Sequence, residues 1–237
     1  MSTIKDGKAV LTSEELEPFR HMNASLLANA IEFFHNETRR EGFVDSSVRC
    51  LFPRLPRLVG YAVTVKVRRA DPPAGGGLFP DRSDWWDYFM SRPEPRVAVV
   101  EDCSGRIGVS SLLGVAQINV LRVFGCVGAV TNGAVRDIPE AEAMRFPLFA
   151  GSVSVSHAHV EMVDMGGSVD IGGLKIRPGE LLHGDIHGVQ SIPPEIAARL
   201  PDVAMRIASE EEALISLSRS PDFSLEKLQA AVASLKH

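Results

Sequence analysis

Two segments built on apolar runs, Arg96-Val97-Ala98-Val99-Val100-Glu101-Asp102 and Cys126-Val127-Gly128-Ala129-Val130-Thr131, limit the fold of this chain more than any other feature. A strand with one wet face alternates polar and apolar residues. These do not, and they read as strands buried on both faces, the condition found inside a parallel sheet. Between them Val115, Ile118, Leu121 and Phe124 recur at helical spacing, in a helix that begins near Gly114 and stops at Gly125. Strand, helix, strand in that order predicts a βαβ unit with a right-handed crossover. Leu58 to Val67, rich in β-branched residues, adds a strand ahead of the unit. Ile138 to Arg145 reads as a short helix, and Phe146 to Ser156 as strand-like.

The flanks carry other patterns. Thr12 with Glu15 three residues on is a capping box, and Leu16, Phe19, Leu26, Leu27, Ala30, Ile31 and Phe34 continue it at helical spacing. Pro18 predicts a break in that helix. Asp71 to Gly77 is a Pro/Gly loop, and Trp85, Trp86, Tyr88 and Phe89 follow on a short helix. Aromatics there plug a core edge or form a lid, and the plug is favoured. Ser168 to Ile176 is a hairpin around Gly172-Gly173. Pro178-Gly179 is a turn, and Ile196 to Leu217 an acidic amphipathic helix. The whole reads as one α/β domain over 1–237, a β-rich core with helices outside and no doubly wound nucleotide fold. Residues 1–22 are an N-terminal helical extension and 218–237 a C-terminal tail.

A net charge of -5 gives no general attraction to nucleic acid or anionic lipid. No apolar stretch approaches the roughly 18 residues of a membrane span, and the first residues lack the apolar run of a signal peptide. Cys50, Cys103 and Cys126 are odd in number and lack Cys-x-x-Cys spacing, which fits a reduced, cytoplasmic setting.

Phosphate loops and the Gly-x-Ser-x-Gly elbow are absent. The segment richest in chemistry is Gly125 to Glu140, where a buried strand runs into a Gly turn and ends on Arg136 and Asp137. Polar residues past the C-terminal end of a buried strand stand where α/β proteins place ligands. Arg136 can grip a carboxylate with both arms of its guanidinium, and Asp137 can hold Mg²⁺. The plainer reading makes Asp137 an N-cap, with Glu140 closing a capping box and Arg136 a solvated turn residue. Glu140 can also orient the site. Ser110 to Gln117 is a loop entering a helix at Gly114, and its free N–H groups favour a small anion. His157, His159 and Glu161 alternate, as do His183, Asp185 and His187. A His/carboxylate metal site is one reading, but Gly184 and Gly188 are expected to break the second set into turns, and structural histidines are the default. Glu210-Glu211-Glu212 is a solvated helix face or a carboxylate offered to a neighbouring subunit.

Taken together, Gly114, Gly125-x-x-Gly128 and Asn132-Gly133-Ala134-Val135-Arg136-Asp137-x-x-Glu140 resemble the RraA-like family. That family includes the 4-hydroxy-4-methyl-2-oxoglutarate (4-carboxy-4-hydroxy-2-oxoadipate) aldolases and the regulators of RNase E activity. Asn23 to Ala30, Leu58 to Val65, Pro178-Gly179-Glu180 and His183 to Val189 extend the likeness over roughly residues 23 to 216. The resemblance implies a swivelling β/β/α domain in homotrimers that often pair into hexamers, with sites between subunits. It implies that the backbone after Gly114 (Val115, Ala116, Gln117) cradles the pyruvate carboxylate, that Arg136 binds pyruvate and that Asp137 carries the divalent metal. An acid at the Glu140 position is characteristic of the aldolases and tends to be missing from the RNase E regulators. A carboxylate from a neighbour's C-terminal helix takes part in the aldolases, and Glu212 or Glu211 is the candidate. One departure stands out: the family usually has Asp or Glu directly after the first Gly, and here it is Val115. Asp102 or Glu101 at the strand end can rebuild the metal's surroundings.

The function so implied is a lyase dependent on Mg²⁺ or Mn²⁺. The metal polarises the 2-oxo group, Arg136 neutralises the carboxylate, and cleavage leaves a pyruvate enolate. Decarboxylation of oxaloacetate passes through the same enolate. Schiff-base chemistry is disfavoured because the segment has no lysine. The rivals are a non-catalytic regulator that binds a partner protein such as RNase E, which Val115 favours and Glu140 disfavours, and an enzyme on another small 2-oxo acid.

Overall fold

In the computed structural model, which describes residues 3–5, 8–35, 41–71, 83–105, 111–157 and 159–235, the chain opens with a hairpin of β1 (Thr3–Lys5) and β2 (Lys8–Val10). Helices α1 (Ser13–His21) and α2 (Ala24–His35) follow. Next come β3 (Arg49–Cys50), β4 (Leu58–Ala70), α3 (Ser83–Met90), β5 (Arg96–Asp102), α4 (Val115–Val123), β6 (Cys126–Val135), α5 (Ile138–Ala143) and β7 (Leu148–Val153). Then β8 (His159–Met165), β9 (Val169–Ile171), β10 (Leu174–Ile176), β11 (Leu181–Asp185) and β12 (Gly188–Ile192) lead to α6 (Leu200–Arg219) and α7 (Leu225–Ser234).

The apolar runs form the middle of an eight-stranded sheet with the order β12-β11-β4-β5-β6-β7-β3, and β8 pairs with β4. Strands β4 to β7 are parallel. Antiparallel β11 and β8 share the outer edge of β4, at Leu58–Tyr61 and Val65–Ala70 respectively. The period of two along each strand divides its residues between two cores. Ala98 and Val100 of β5 join Phe89, Ile118, Leu121 and Phe146 under the helices. Val97 and Val99 join Val169, Ile171, Leu174 and Ile176 of the β9–β10 hairpin on the opposite face. Helices, sheet and hairpin thus make α, β and β layers. A third cluster packs Leu16 and Phe19 of α1, Leu27 and Ile31 of α2 and Leu200 of α6 on Val59, Tyr61 and Leu181. Full burial of each such side chain contributes about 1.5–3 kcal/mol.

The Thr12 capping box is present: Thr12 Oγ1 accepts the Glu15 N–H at 3.2 Å, and Glu15 Oε2 accepts the Thr12 N–H at 2.7 Å. The helix breaks at Met22-Asn23, and Pro18 lies inside α1. The break belongs to Asn23, whose Oδ1 accepts the Leu26 N–H at 2.7 Å and restarts the chain as α2. Trp85 and Phe89 are buried edge-to-face at 5.0 Å, a core plug as favoured. Residues 72–77 of the expected loop lie outside the described residues.

Other expectations are corrected. The Gly turn expected after Thr131 is strand: β6 continues through Asn132-Gly133 to Val135, absorbing a bulge in its pairing with β7. Gly184 likewise stays within β11, because a Cβ there would lie 2.8 Å from the Phe149 ring. Regular helix begins at Leu200, not Ile196, with Pro201 in the first turn where it needs no donor. The tail contains α7, capped by Ser224, which accepts the Lys227 N–H at 3.2 Å.

Arg96, 4% exposed, fastens the end of the sheet where β5 begins. Its Nε donates to the Arg92 carbonyl (2.9 Å), Nη2 to the Met90 carbonyl (3.1 Å), and Nη1 to Glu94 Oε1 (2.8 Å) and the Phe124 carbonyl. Met90 ends α3 and Phe124 caps α4, so one cation serves the negative ends of two helices. Arg96→Met leaves these carbonyls without a donor at an apolar site. The expected loss is about 3 kcal/mol in urea unfolding followed by circular dichroism. Exposed Arg122→Met should shift the midpoint little.

Candidate active site at the end of β6

The loop entering α4 is fastened to the C-terminal end of β6. Leu113 bridges Val135 in parallel register, and the Arg136 N–H donates to the Leu113 carbonyl at 3.0 Å. Gly114 is extended and caps α4. A Cβ on Gly114 would stand 2.8 Å from both Arg136 Nε and Asp137 Oδ2, so the approach requires glycine. The Val115 N–H donates to Asp137 Oδ2 at 2.8 Å, and that oxygen lies 3.7 Å from Arg136 Nε. The Arg136 and Asp137 side chains are 33% and 28% exposed, open enough to meet a ligand.

This arrangement overturns the capping-box reading of Asp137 and Glu140. Asp137 stands in the left-handed region (φ 56°, ψ 46°) and makes no side-chain bond to α5, the helix it precedes. Its carboxylate caps α4 across the turn instead. The left-handed conformation costs a non-glycine residue roughly 1–2 kcal/mol, and the bond from Val115 offsets part of it. Glu140 is exposed on the first turn of α5, apart from the Asp137 carboxylate.

The Ala116 and Gln117 N–H groups lie in the first turn of α4, beyond the reach of any intrahelical carbonyl. Helix amides, the positive end of the α4 dipole and the Arg136 guanidinium therefore converge on one ridge, where an anionic ligand is favoured. Ser110 lies outside the described residues.

Behind the ridge is a small hollow walled by Asp102, Leu113, Thr131 and Gly133. Asn132 clamps the backbone of Asp102: its Oδ1 accepts the Asp102 N–H at 2.7 Å, and its Nδ2 donates to the Asp102 carbonyl at 3.2 Å. Asp102 Oδ1 accepts the Ser104 N–H at 2.9 Å and the Ser104 hydroxyl. Glu101 points the other way, to Lys66 Nζ at 3.1 Å and the Asp170 N–H at 3.0 Å, and is not part of the site. Ser104 was not singled out from sequence, and Asn132 entered only as part of the run Asn132 to Asp137, with no role of its own.

Glu212 and Glu211 lie exposed on α6, where Glu212 accepts from Ser216 and Glu211 from Asn29 of α2. Helix α6 packs in a different core from α4 and α5, so one chain does not bring Glu212 to Arg136 and Asp137.

Among the described residues no group of three or more His, Cys, Asp and Glu side chains is placed to hold a metal. The two alternating histidine sets therefore form no cage. His187 Nδ1 meets Asp185 Oδ1 at 3.1 Å, and His183 Nε2 donates to the Met22 carbonyl at 3.0 Å. His157 and His159 meet edge-to-face at 6.0 Å. Asp137 fits Mg²⁺ on other grounds: the Val115 N–H engages only Oδ2 of its carboxylate, and Mg²⁺ is content with one or two carboxylates and several waters.

A family model described as Aldolase/RraA matches residues 23–190. The chain belongs to the RraA-like family. A Halalkalibacterium halodurans protein named "Putative 4-hydroxy-4-methyl-2-oxoglutarate aldolase" is 31% identical over 113 residues, 47% of this chain and 51% of that protein. This RraA-like chain spans about half the length of the curated relatives it matches. Among solved structures, one described as novel cellulases from gut-associated microbes superposes with a TM-score of 0.72 at 19% identity, over 90% of this chain and 92% of that one. RraAS2 of Streptomyces coelicolor, described as an unusual member of the RNase ES inhibitor RraA family, superposes with a TM-score of 0.66 at 19% identity, over 85% and 96%. These likenesses show the fold. Among the described residues no helix is long and apolar enough to cross a membrane.

Two outcomes follow from this geometry. Gly114→Ala should keep the fold but displace the Arg136 and Asp137 side chains, lowering the melting temperature by a few degrees while the melting curve stays cooperative. His183 is fully buried, and desolvation lowers its pKa from 6.5 to about 4. The unfolded chain then takes up the proton first as pH falls. Stability is whole above about pH 6.5 and falls by about 3 kcal/mol as pH drops toward 4. Urea unfolding at stepped pH should show that slope in the wild type and lose it in His183→Gln.

Proposed function

We propose that this chain is a divalent-metal-dependent carbon–carbon lyase for short 2-oxo acids, releasing pyruvate from 4-hydroxy-4-methyl-2-oxoglutarate-like substrates and from oxaloacetate. The observation that carries the reading is the convergence of the α4 N-terminus, Arg136 and Asp137 around Gly114. The first-turn amides of α4 and the Arg136 guanidinium take the substrate carboxylate and fix its orientation. Asp137 would hold Mg²⁺ or Mn²⁺ through the oxygen that Val115 leaves free, and the bound cation supplies Lewis-acid polarisation of the 2-oxo group. Loss of the 4-hydroxyl proton to solvent and cleavage of the C3–C4 bond give one pyruvate and the enolate of a second (oxaloacetate loses carbon dioxide instead); Arg136 and the α4 dipole stabilise the enolate's added negative charge until a solvent proton completes it. No lysine occurs between Lys66 and Lys175, so the ridge itself offers no amine for a Schiff base.

The site is proposed to be completed by a neighbouring copy, in a homotrimer or a pair of trimers. Helix α7 buries none of its residues, and Met205, Ile215, Leu225 and Val232 leave apolar surface on α6 and α7. Glu211 and Glu212 stand exposed on the same α6 and are available to a neighbour's ridge. The second reading, a regulator that binds a partner protein, is favoured by Val115, which puts an aliphatic side chain beside Asp137 where the family usually has an acid.

Pyruvate release, coupled to lactate dehydrogenase, tests the first reading with either substrate and Mg²⁺ or Mn²⁺. Asp137→Asn still tolerates the left-handed backbone and still accepts from Val115. It should fold normally yet lose roughly 100-fold in turnover. Arg136→Lys should raise KM more than it lowers kcat. Activity that survives both EDTA and Asp137→Asn overturns the metal's role. No turnover on either substrate with either metal moves the reading to the regulator.

A further inference from the structure

A cleft of about 350 Å³ opens at the end of the sheet opposite Arg136 and Asp137. It lies where β4 begins, between the α1–α2 corner, the segment 50–57 and the β11–β12 turn. Its size suits a compact ligand. Phe52, Leu55, Pro56, Pro147, Phe149 and Ile186 give it apolar walls. Cys50 adds a neutral thiol, because burial raises its pKa.

The polar groups on the walls differ in how far they are committed. Asp185 is 7% exposed and fully engaged: Oδ2 accepts the Ala24 N–H at 2.8 Å, and Oδ1 accepts the His187 N–H at 2.8 Å and meets the His187 ring at 3.1 Å. Arg20 pairs with Glu17 at 3.2 Å. Arg57 has no such partner. Its Nη1 donates to the Arg20 carbonyl at 3.1 Å, and its Nε is shut off from solvent with no acceptor. No carboxylate lies within ion-pair distance of Arg57 among the described residues. A buried donor without an acceptor costs about 1–3 kcal/mol. Arg57 is therefore the guanidinium on this cleft that no carboxylate neutralises, held in place by Nη1 and with Nη2 left unbonded.

We propose that this cleft is a second ligand site, distinct from the ridge at Arg136 and Asp137, for a small organic carboxylate with a hydrocarbon body. The carboxylate takes Nη2 of Arg57, the guanidinium nitrogen that is neither bonded nor shut off, and the body lies against Phe52, Leu55 and Phe149. A single free positive charge matches a monoanion, and the apolar walls offer a hydrocarbon body contacts that inorganic phosphate cannot use. The proposal stands whether or not the ridge is a lyase site.

Benzoate is the probe, titrated into the full chain in EDTA by calorimetry, with inorganic phosphate as the parallel arm. Saturable benzoate binding is expected, at least tenfold weaker in Arg57→Met. Arg57→Lys should weaken it too, because the ammonium has no fork. Ile186→Trp, at the exposed rim, should weaken it by filling the mouth with no loss of fold, and Arg136→Lys should leave it unchanged. Benzoate that fails to bind, binds Arg57→Met and Ile186→Trp as well as wild type, or binds no better than phosphate overturns the proposal. So does a change of oligomeric state in Arg57→Met by light scattering, which would give the cleft to a second copy of this chain. If Arg57→Met fails to fold, Arg57→Lys and Ile186→Trp decide.

Discussion

The hydrogen bond from the Val115 N–H to Asp137 Oδ2 is the contact on which the rest of the site depends. It joins the start of one helix to the residue before the next, across the end of a buried strand. Three sequence choices make it: a glycine at 114 so that the loop comes close enough, a residue tolerant of φ 56° at 137, and an acceptor there that reaches across the turn. Asp meets the last two together. Once the bond forms, Arg136 is held between β6 and α4 with its own N–H on Leu113, and cation, anion and helix amides share one surface.

That contact needs a rigid base, and the layering provides it. Strands β5 and β6 are buried on both faces, by the helices on one side and by the β9–β10 hairpin on the other. Arg96 fixes the opposite end of the same βαβ unit by serving the C-termini of α3 and α4. Helix α4 is thus held at both ends, by a cation at its negative terminus and by a carboxylate at its positive one, which is the sense its dipole favours. The ridge inherits its geometry from that double fastening more than from any loop.

What was legible in the sequence follows from how local each signal is. The stretches at 97–100 and 126–130 contain no side chain that water would stabilise, so their burial could be read directly. The Gly172-Gly173 hairpin and the Thr12 cap are set by residues within four positions of one another, and both appear where expected. The partner of Asp137 was not legible. Asp-x-x-Glu is a complete capping box within its own segment, and only the tertiary approach of residue 114, more than twenty positions back, makes the left-handed alternative better. Gly184 misled for the same reason: it looks like a turn until Phe149 is placed beside it. Arg57 carried no signal at all, since an arginine directly after a proline reads as solvated until a cavity wall forms around it.

Val115 shows how far the site can change without losing its form. The bond to Asp137 uses the backbone N–H of residue 115, so it is indifferent to the side chain. The cradle of amides and Arg136 is therefore intact where the family's usual acid is missing. The missing acid would act on the cation, and Asp102 cannot simply swing in to replace it. Its backbone is clamped on both sides by Asn132, and one of its oxygens is tied to Ser104. In the proposed chemistry the anion-binding half of the site would thus rest on backbone and fold, and the cation-binding half on the Asp137 carboxylate. On the proposed reading, Val115→Asp would strengthen metal affinity and leave the backbone bond to Asp137 in place, so the two halves of the proposed chemistry are separable in this chain.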